Sequence, residues 1–139
     1  DKILHQSKII KYFVEKENKK KVQKDIDKIF KKISKNRKYF YSAKDLALAD
    51  TLISDGFSVP SNFDYKKLSQ KFDIPSNLLK LIDNNQNAFL ALKIVEIIGE
   101  DEPHQLDPET IYFITSLLNK MKLKEIRNIV LNSALPFRA

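Results

Sequence analysis

The stretch KVQKDIDKIFKKISK, residues 21–35, has the clearest helical pattern in the chain and decides the fold class. Its apolar residues follow one another at steps of four, three, one and three, so they share one face of an α-helix, while lysines occupy the opposite face. The apolar face consists of Val22, Ile26, Ile29, Phe30 and Ile33. The stretch therefore predicts an amphipathic helix that buries this face and keeps its lysines in solvent.

A similar spacing occurs upstream, in DKILHQSKIIKYFVEKE at residues 1–17. A short polar link, KENKKK at 16–21, separates the two apolar patterns, and short links favour antiparallel neighbouring helices. We therefore expect a basic helical hairpin over residues 1–41. The inward residues of its first helix are predicted to be Ile3, Leu4, Ile10, Phe13 and Val14.

Polar residues mark the ends of the next helices. Ser42 is placed to cap the helix AKDLALADTLISD, and Asp45 stands at its third position, where a carboxylate favours the helix dipole. Gly56 follows this helix and is suited to the left-handed conformation that ends many helices. Asp64 is placed to cap a further short helix, YKKLSQKF. These signals predict a helix–turn–helix pattern without strands.

A pattern of Phe-x-(Val or Ile)-Pro-Ser-Asn occurs twice, at 57–62 and 72–77. In each copy the proline prevents a helix from extending backwards, and the serine or asparagine can cap the helix that follows. We interpret the repeat as helix punctuation, with Phe57 and Phe72 as buried plugs beneath the turns. The alternative is a docking motif, which would expose its aromatic residue in a flexible region.

The C-terminal half continues the helical pattern. Residues 87–98, NAFLALKIVEII, are apolar almost all round and predict a central buried helix. DPET at 107–110 is a strong start signal, because proline is tolerated in the first helical turn and Glu109 complements the dipole. A final helix over 122–135 is predicted to place four residues inward, namely Leu123, Ile126, Ile129 and Val130.

The chain thus reads as an all-α protein of about seven helices arranged as stacked antiparallel hairpins. The two glycines, Gly56 and Gly99, are too few for the turns of a β-rich protein. At 139 residues the chain suits one domain, with a basic hairpin over 1–41 and a helical core over 42–139. It begins at Asp1 rather than Met, which is compatible with a piece of a longer protein.

Several chemistries are disfavoured by the residue types present. The chain has no cysteine, so disulfides, thiolate metal sites and thiol nucleophiles are excluded. His5 and His104 are the two histidines, and neither has partners at metal-ligand spacing. The longest apolar run, at 88–98, is shorter than the roughly 20 residues of a membrane-spanning helix. We therefore expect a soluble protein without a metal, a cofactor or enzymatic activity, although distant residues could still assemble an active site.

The uneven distribution of charge is the one feature of the sequence that indicates a function. Residues 1–44 hold fifteen Lys or Arg against five Asp or Glu, whereas residues 45–139 hold ten against thirteen. Cations beside aromatic rings suit phosphate contact and base stacking. The candidate polyanion-binding or acidic-partner-binding residues are Lys31, Lys32, Lys35, Arg37, Lys38, Tyr39 and Tyr41. We expect Phe40 to pack inward more readily than the two tyrosines, whose hydroxyls favour water.

Three helix–turn–helix pairs, at 2–33, 43–83 and 86–135, give the chain a repeated rhythm. In this rhythm it resembles the α-solenoid repeat proteins, and the last pair is similar to a tetratricopeptide-like or HEAT-like unit. The resemblance implies a scaffold that presents a surface to a protein partner. The leading hypothesis is accordingly a non-enzymatic interaction module. The alternative is a nucleic-acid-binding domain that uses the basic hairpin, and an acidic protein or an anionic membrane surface remains open as its partner.

Overall fold

The computed structural model describes residues 3–15, 17–60, 63–70 and 108–135. Regular structure in these ranges is helical throughout, and no strand occurs in them. A 3-10 turn spans Leu4–Gln6. It is followed by α1 (Ile10–Glu15), α2 (Lys19–Ser34), α3 (Ala43–Ser54), α4 (Tyr65–Ser69), α5 (Pro108–Lys120) and α6 (Lys124–Ala134). The predicted all-α fold class is confirmed. The helix predicted at 87–98 lies outside the described residues, as do His104 and Phe72.

Helix α2 has the amphipathic character that its sequence predicts. All five residues of its predicted apolar face are buried, with exposed fractions of 6% or less. Its lysines are exposed along the whole helix. The Asn18 side chain caps its beginning by accepting a hydrogen bond from the Lys20 backbone N–H at 2.8 Å. Helix α2 is therefore bound to the core on one side and positively charged on the other.

Helix α3 lies at the centre of the described structure. Its first turn is closed by a capping box, in which Ser42 Oγ accepts from the Asp45 N–H and the Asp45 carboxylate accepts from the Ser42 N–H. Gly56 ends the helix with a φ of 90°, a left-handed conformation that glycine adopts without strain. Helix α3 packs against α5 more extensively than any other described pair of helices. Both predicted ends of α3 are confirmed.

The N-terminal segment differs from the single helix predicted for it. Ser7 has extended backbone between the 3-10 turn and α1, and its hydroxyl donates to the Leu4 carbonyl. The N–H groups of Leu4 and His5 bond instead to the side chains of Tyr39 and Asp45, so tertiary partners replace helical ones there. Helix α1 packs against α6, whereas α2 contacts the 3-10 turn.

Two inward positions predicted for the first helix are wrong. Ile3 and Val14 are 39% and 48% exposed, whereas Leu4, Ile10 and Phe13 are buried. Within α1 the buried residues are Ile10, Tyr12 and Phe13, so Val14 lies off the buried side of this helix, and Ile3 precedes the 3-10 turn. A single cluster of buried residues nevertheless joins this segment to α2, α3 and the last two helices.

Helices α5 and α6 form a pair joined by the short turn at Met121–Leu123. The buried residues of α6 are Arg127, Val130, Leu131 and Ala134, spaced as one helical face. Ile129 lies off this face and is 65% exposed, so its predicted inward position is wrong. The reason is that Arg127 takes an inward position, where it pairs with Asp55 of the α3 terminus.

The turn after α3 is held by the aromatic residue that the repeated pattern predicted to be a plug. Phe57 is 8% exposed and meets the Tyr12 ring edge-on, with 5.2 Å between ring centroids. Asp64 caps α4 through a hydrogen bond from the Lys67 N–H, as predicted. Among the described residues no helix has the length and apolar character needed to span a bilayer.

Candidate nucleic-acid interface

Five cations at the end of α2 and in the turn after it form what we call the basic surface: Lys31, Lys32, Lys35, Arg37 and Lys38. All five are exposed. The turn is fixed locally, because Asn36 Oδ1 accepts from the Lys38 N–H at 3.1 Å and the Asn36 carbonyl accepts from the Tyr39 N–H. Consequently the cations of the turn are held beside those of the last helical turn.

The surroundings of the basic surface increase its positive potential. Residues 17–41 contain ten Lys or Arg and three Asp or Glu. One of those carboxylates, Glu17, lies 3.7 Å from the Lys21 ammonium at the far end of α2. A cluster of exposed like charges stores repulsion that an anionic partner relieves. This end of α2 is therefore suited to bind a polyanion.

Beside the basic surface lies a pocket of about 240 Å³, which we call the aromatic pocket. It is lined by Phe30, Ile33, Ser34, Asn36, Arg37, Tyr39, Tyr41 and Phe63. Four of these residues form a continuous row of rings, with centroid distances of 5.0 Å for Tyr39–Tyr41, 4.9 Å for Tyr41–Phe63 and 5.1 Å for Phe63–Phe30. The rings meet edge-on or tilted, which is a favourable geometry for aromatic pairs. Cations and aromatic rings thus meet at one place.

The two candidate tyrosines line this pocket from the core side. The Tyr39 hydroxyl accepts a hydrogen bond from the Leu4 N–H at 3.0 Å and donates one to Asp45 Oδ2 at 2.7 Å. Burial raises the pKa of the Tyr39 phenol well above its ordinary value. Burial also raises the pKa of Tyr41, and the negative charge of Asp45 adds to this shift. Both rings are anchored rather than projecting into solvent.

The relative packing expected for Phe40 and its neighbours is reversed. Phe40 is 70% exposed, whereas Tyr39 and Tyr41 pack against the core. Alternation of inward and outward side chains is usual for extended backbone, and these three residues belong to a non-helical connection. The tyrosines were expected outside because their hydroxyls favour water. The Tyr39 hydroxyl instead donates to the buried Asp45 carboxylate, so its ring can pack against the core.

Asp45 organises the core side of the pocket. Its carboxylate is 1% exposed and accepts hydrogen bonds from the His5 N–H, His5 Nδ1, the Tyr39 hydroxyl and the Ser42 N–H. His5 Nδ1 lies 2.6 Å from Asp45 Oδ1. His5 therefore fixes the N-terminal turn against α3. The capping role of Asp45 is visible in the sequence, but its pairing with a residue forty positions away is not.

A second polar network, which the sequence also did not predict, joins α3, α4, α5 and α6. Arg127 donates to both carboxylate oxygens of Asp55, at 2.7 and 2.9 Å, and to Asn119 Oδ1 at 3.1 Å. Asn119 Nδ2 donates to Asp50, which also accepts from the Tyr65 hydroxyl. Two of the partners, Asp50 and Asp55, belong to α3 and its end, and the other three lie on α4, α5 and α6, so the network ties these four helices together.

The described ranges contain no group of three or more His, Asp or Glu side chains arranged to hold a metal ion. The two buried polar networks are occupied by internal hydrogen bonds, whereas among the described residues the aromatic pocket and the basic surface together combine exposure, charge and shape. No protein-family model matches this chain, and searches among curated proteins and among solved structures gave no significant match.

Proposed function

We propose that this protein is a non-enzymatic binding module for nucleic acid, which it contacts through phosphates on the basic surface. One observation carries the proposal: Arg37 lines an aromatic pocket, and the other four cations are sequence neighbours of pocket-lining residues. Phosphate contacts supply most of the affinity in sequence-independent nucleic-acid binding. Aromatic rings beside such cations are the combination that single strands use for stacking.

The aromatic pocket is the reason for preferring nucleic acid to an acidic protein. An acidic peptide is satisfied by cations alone, since its carboxylates offer no flat ring to stack. The lysines of α2 suit phosphate as point charges, whereas Arg37 offers a planar guanidinium that can stack as well as pair. The described buried carboxylates, Asp45 and Asp55, are engaged in holding helices together. They support a structural rather than a catalytic role for the polar interior.

Salt dependence tests the proposal directly. If all five cations of the basic surface neutralise phosphates of a single strand, the logarithm of the binding constant falls with that of the salt concentration with a slope of about −3.5. Replacing Lys31, Lys35 and Lys38 by Glu removes three of these contacts and is expected to reduce the slope by about 2. The measurement is fluorescence anisotropy with a short labelled oligonucleotide of mixed sequence.

A matched control changes the net charge equally at another surface. Lys66, Lys67 and Lys120 are exposed and lie on α4 and α5, so their replacement by Glu alters the same number of charges. This control variant is expected to keep most of the affinity, and circular dichroism verifies that both variants fold. Equal losses in the two triple variants would place binding elsewhere. Tighter binding to polyglutamate than to the oligonucleotide would identify an acidic protein as the partner class.

A protein partner is a second candidate, favoured by a different surface. Ile129 on α6 and Val14 on α1 are 65% and 48% exposed, and these two helices contact each other. Exposed apolar side chains on adjacent helices suit a scaffold of the kind that the α-solenoid resemblance implies. Replacing Ile129 by Ser would then abolish nuclease-resistant capture of the partner from a native extract, with Lys120→Ser as the exposed control. Capture that survives this change would exclude the α6 surface.

A further inference from the structure

We infer that the aromatic pocket receives one unpaired nucleobase, so that the protein selects single strands over duplexes. The inference rests on the proposed function and adds to it the part of the nucleic acid that is recognised. Phosphate contacts alone do not require a pocket, and a duplex keeps its bases stacked inside the helix. A cavity lined with rings beside a phosphate-binding surface therefore points to a base that has left its stack.

The size of the pocket sets the size of the group that it takes. At about 240 Å³ it is smaller than the roughly 300–1,000 Å³ of pockets that enclose a complete drug-sized ligand. One flat ring system fits such a volume, while the sugar and phosphate attached to it stay outside. Outside the pocket they would meet the basic surface, because Lys35 lies between the lining residues Ser34 and Asn36 and Arg37 follows Asn36.

The lining supplies both a stacking platform and polar groups for the edge of a base. Tyr39 and Tyr41 are the partly exposed members of the row of rings, and every base has a π-face that stacks on such rings irrespective of its sequence. Arg37 and Asn36 are the charged and amide-bearing members of the lining. A guanidinium and a carboxamide carry N–H donors suited to the oxygen and nitrogen acceptors on base edges.

The pocket is organised before any ligand arrives. Tyr39 is fixed by its two hydrogen bonds to Leu4 and Asp45, and Asp45 is in turn fixed by His5 and Ser42. Preorganised side chains lose little conformational entropy when they bind a ligand. Stacking in this pocket is therefore expected to contribute its full effect, which is about tenfold or more in affinity for one base.

The experiment separates base recognition from phosphate binding with three probes of equal length. These are a mixed-sequence single strand, a fully abasic strand and the corresponding duplex, all measured by anisotropy at one low salt concentration. The single strand is expected to bind about tenfold more tightly than the abasic strand, which keeps the phosphates and lacks the bases. It is also expected to bind more tightly than the duplex, although the duplex has the higher charge density.

A blocking variant assigns the preference to the pocket. Ser34 is exposed, lines the pocket and ends α2, where its hydroxyl donates to the Lys31 carbonyl at 2.8 Å. Ser34→Leu enlarges a lining side chain without changing the charge or emptying the core. Ser69→Leu is the matched control. Ser69 ends α4, and its hydroxyl likewise donates to the backbone carbonyl three residues earlier, that of Lys66, at 3.0 Å.

Ser34→Leu is expected to lower the affinity for the single strand to that for the abasic strand, which itself stays unchanged, while Ser69→Leu keeps the full preference. Equal binding of the single and abasic strands by the unaltered protein overturns base insertion and leaves the phosphate-binding function standing. An undiminished preference in Ser34→Leu likewise overturns the assignment to this pocket. If none of the three probes binds, both the proposed nucleic-acid function and the inference of base insertion are refuted.

Discussion

Replacing Arg127 by Met should be among the most destabilising single changes in this protein. The Arg127 and Asp55 side chains are each 2% exposed, and the guanidinium meets both carboxylate oxygens at 2.7 and 2.9 Å. Methionine matches much of the volume and keeps the apolar contact, so the change chiefly removes the charge. It leaves the Asp55 carboxylate buried with one of its two neighbouring cations lost.

The magnitude follows from that uncompensated charge. Removing one partner of a buried ion pair costs about 3–5 kcal/mol. The substitution also removes the guanidinium's hydrogen bond to Asn119 and its contact with the Phe13 ring, whose centroid lies 5.9 Å away. Melting entropy of about 2.1 cal/mol/K per residue gives about 0.3 kcal/mol/K for a chain of this length. A loss of 3–5 kcal/mol therefore corresponds to a melting temperature lowered by about 10–17 °C.

Differential scanning calorimetry with a matched variant checks this reasoning. Lys124 is the other cation near Asp55, at 3.6 Å, but its side chain is 53% exposed. Lys124→Met is therefore expected to cost less than about 1 kcal/mol, because solvent screens an exposed pair. A melting temperature for Arg127→Met no lower than that for Lys124→Met would refute the claim that the buried pair holds α6 to the end of α3.

Three further changes probe the core, a helix end and the tyrosines. Phe57→Ala should cost about 3 kcal/mol or more by leaving a cavity, whereas Phe40→Ala, at a ring that is 70% exposed, should change the free energy of unfolding by less than about 0.5 kcal/mol in urea denaturation. Ser42→Ala removes one half of the capping box and should cost about 1 kcal/mol, measured in the same way; Ser54→Ala at the opposite end of α3 serves as the control. Burial raises the pKa of Tyr12, Tyr39, Tyr41 and Tyr65. The unfolded chain therefore releases these protons near pH 10 while the folded protein retains them, so stability should fall as pH rises above about 10. Tyr65→Phe should make that fall shallower, and a stability that rises between pH 9 and about pH 11 would contradict the sign.

Helix ends and helix faces were predictable where their causes are local. The capping box of α3 involves Ser42 and Asp45, three residues apart, and the left-handed stop at Gly56 depends on one residue. The face of α2 follows from apolar residues that are one turn apart, and all of them are buried. Interactions within about four residues are encoded in neighbouring letters, and for this reason they can be read directly.

The errors occur where a distant partner competes with a local pattern. Ile129 suits the apolar spacing of the last helix, yet Arg127 takes the inward position because Asp55, 72 residues earlier, lies opposite it. The first segment reads as one helix, but hydrogen bonds to Tyr39 and Asp45 break it after the 3-10 turn. In both cases hydrogen bonds to a residue distant in sequence outweigh the local apolar spacing.

The candidate site shows the same division. Its cations could be named from the sequence, because exposed lysines need no partner to remain in solvent. The aromatic pocket of the site could not be predicted from the sequence. Phe63, which follows α3 in the chain, contributes one of its rings, and the inward positions of Tyr39 and Tyr41 depend on Asp45 and the core. Tyr39 and Tyr41, the predicted stacking residues, therefore line the pocket and do not project into solvent.

By itself the sequence determined that this protein is helical, which residues α2 buries, where α3 begins and ends, and that positive charge collects in the first third of the chain. These properties depend on residue type and on spacing within one or two helical turns. Tertiary structure alone decided that Arg127 is buried, that His5 pairs with Asp45, and that the rings beside the basic surface enclose a pocket. Those outcomes require groups dozens of residues apart to meet with hydrogen-bond geometry, and no periodicity along the chain specifies which groups will meet.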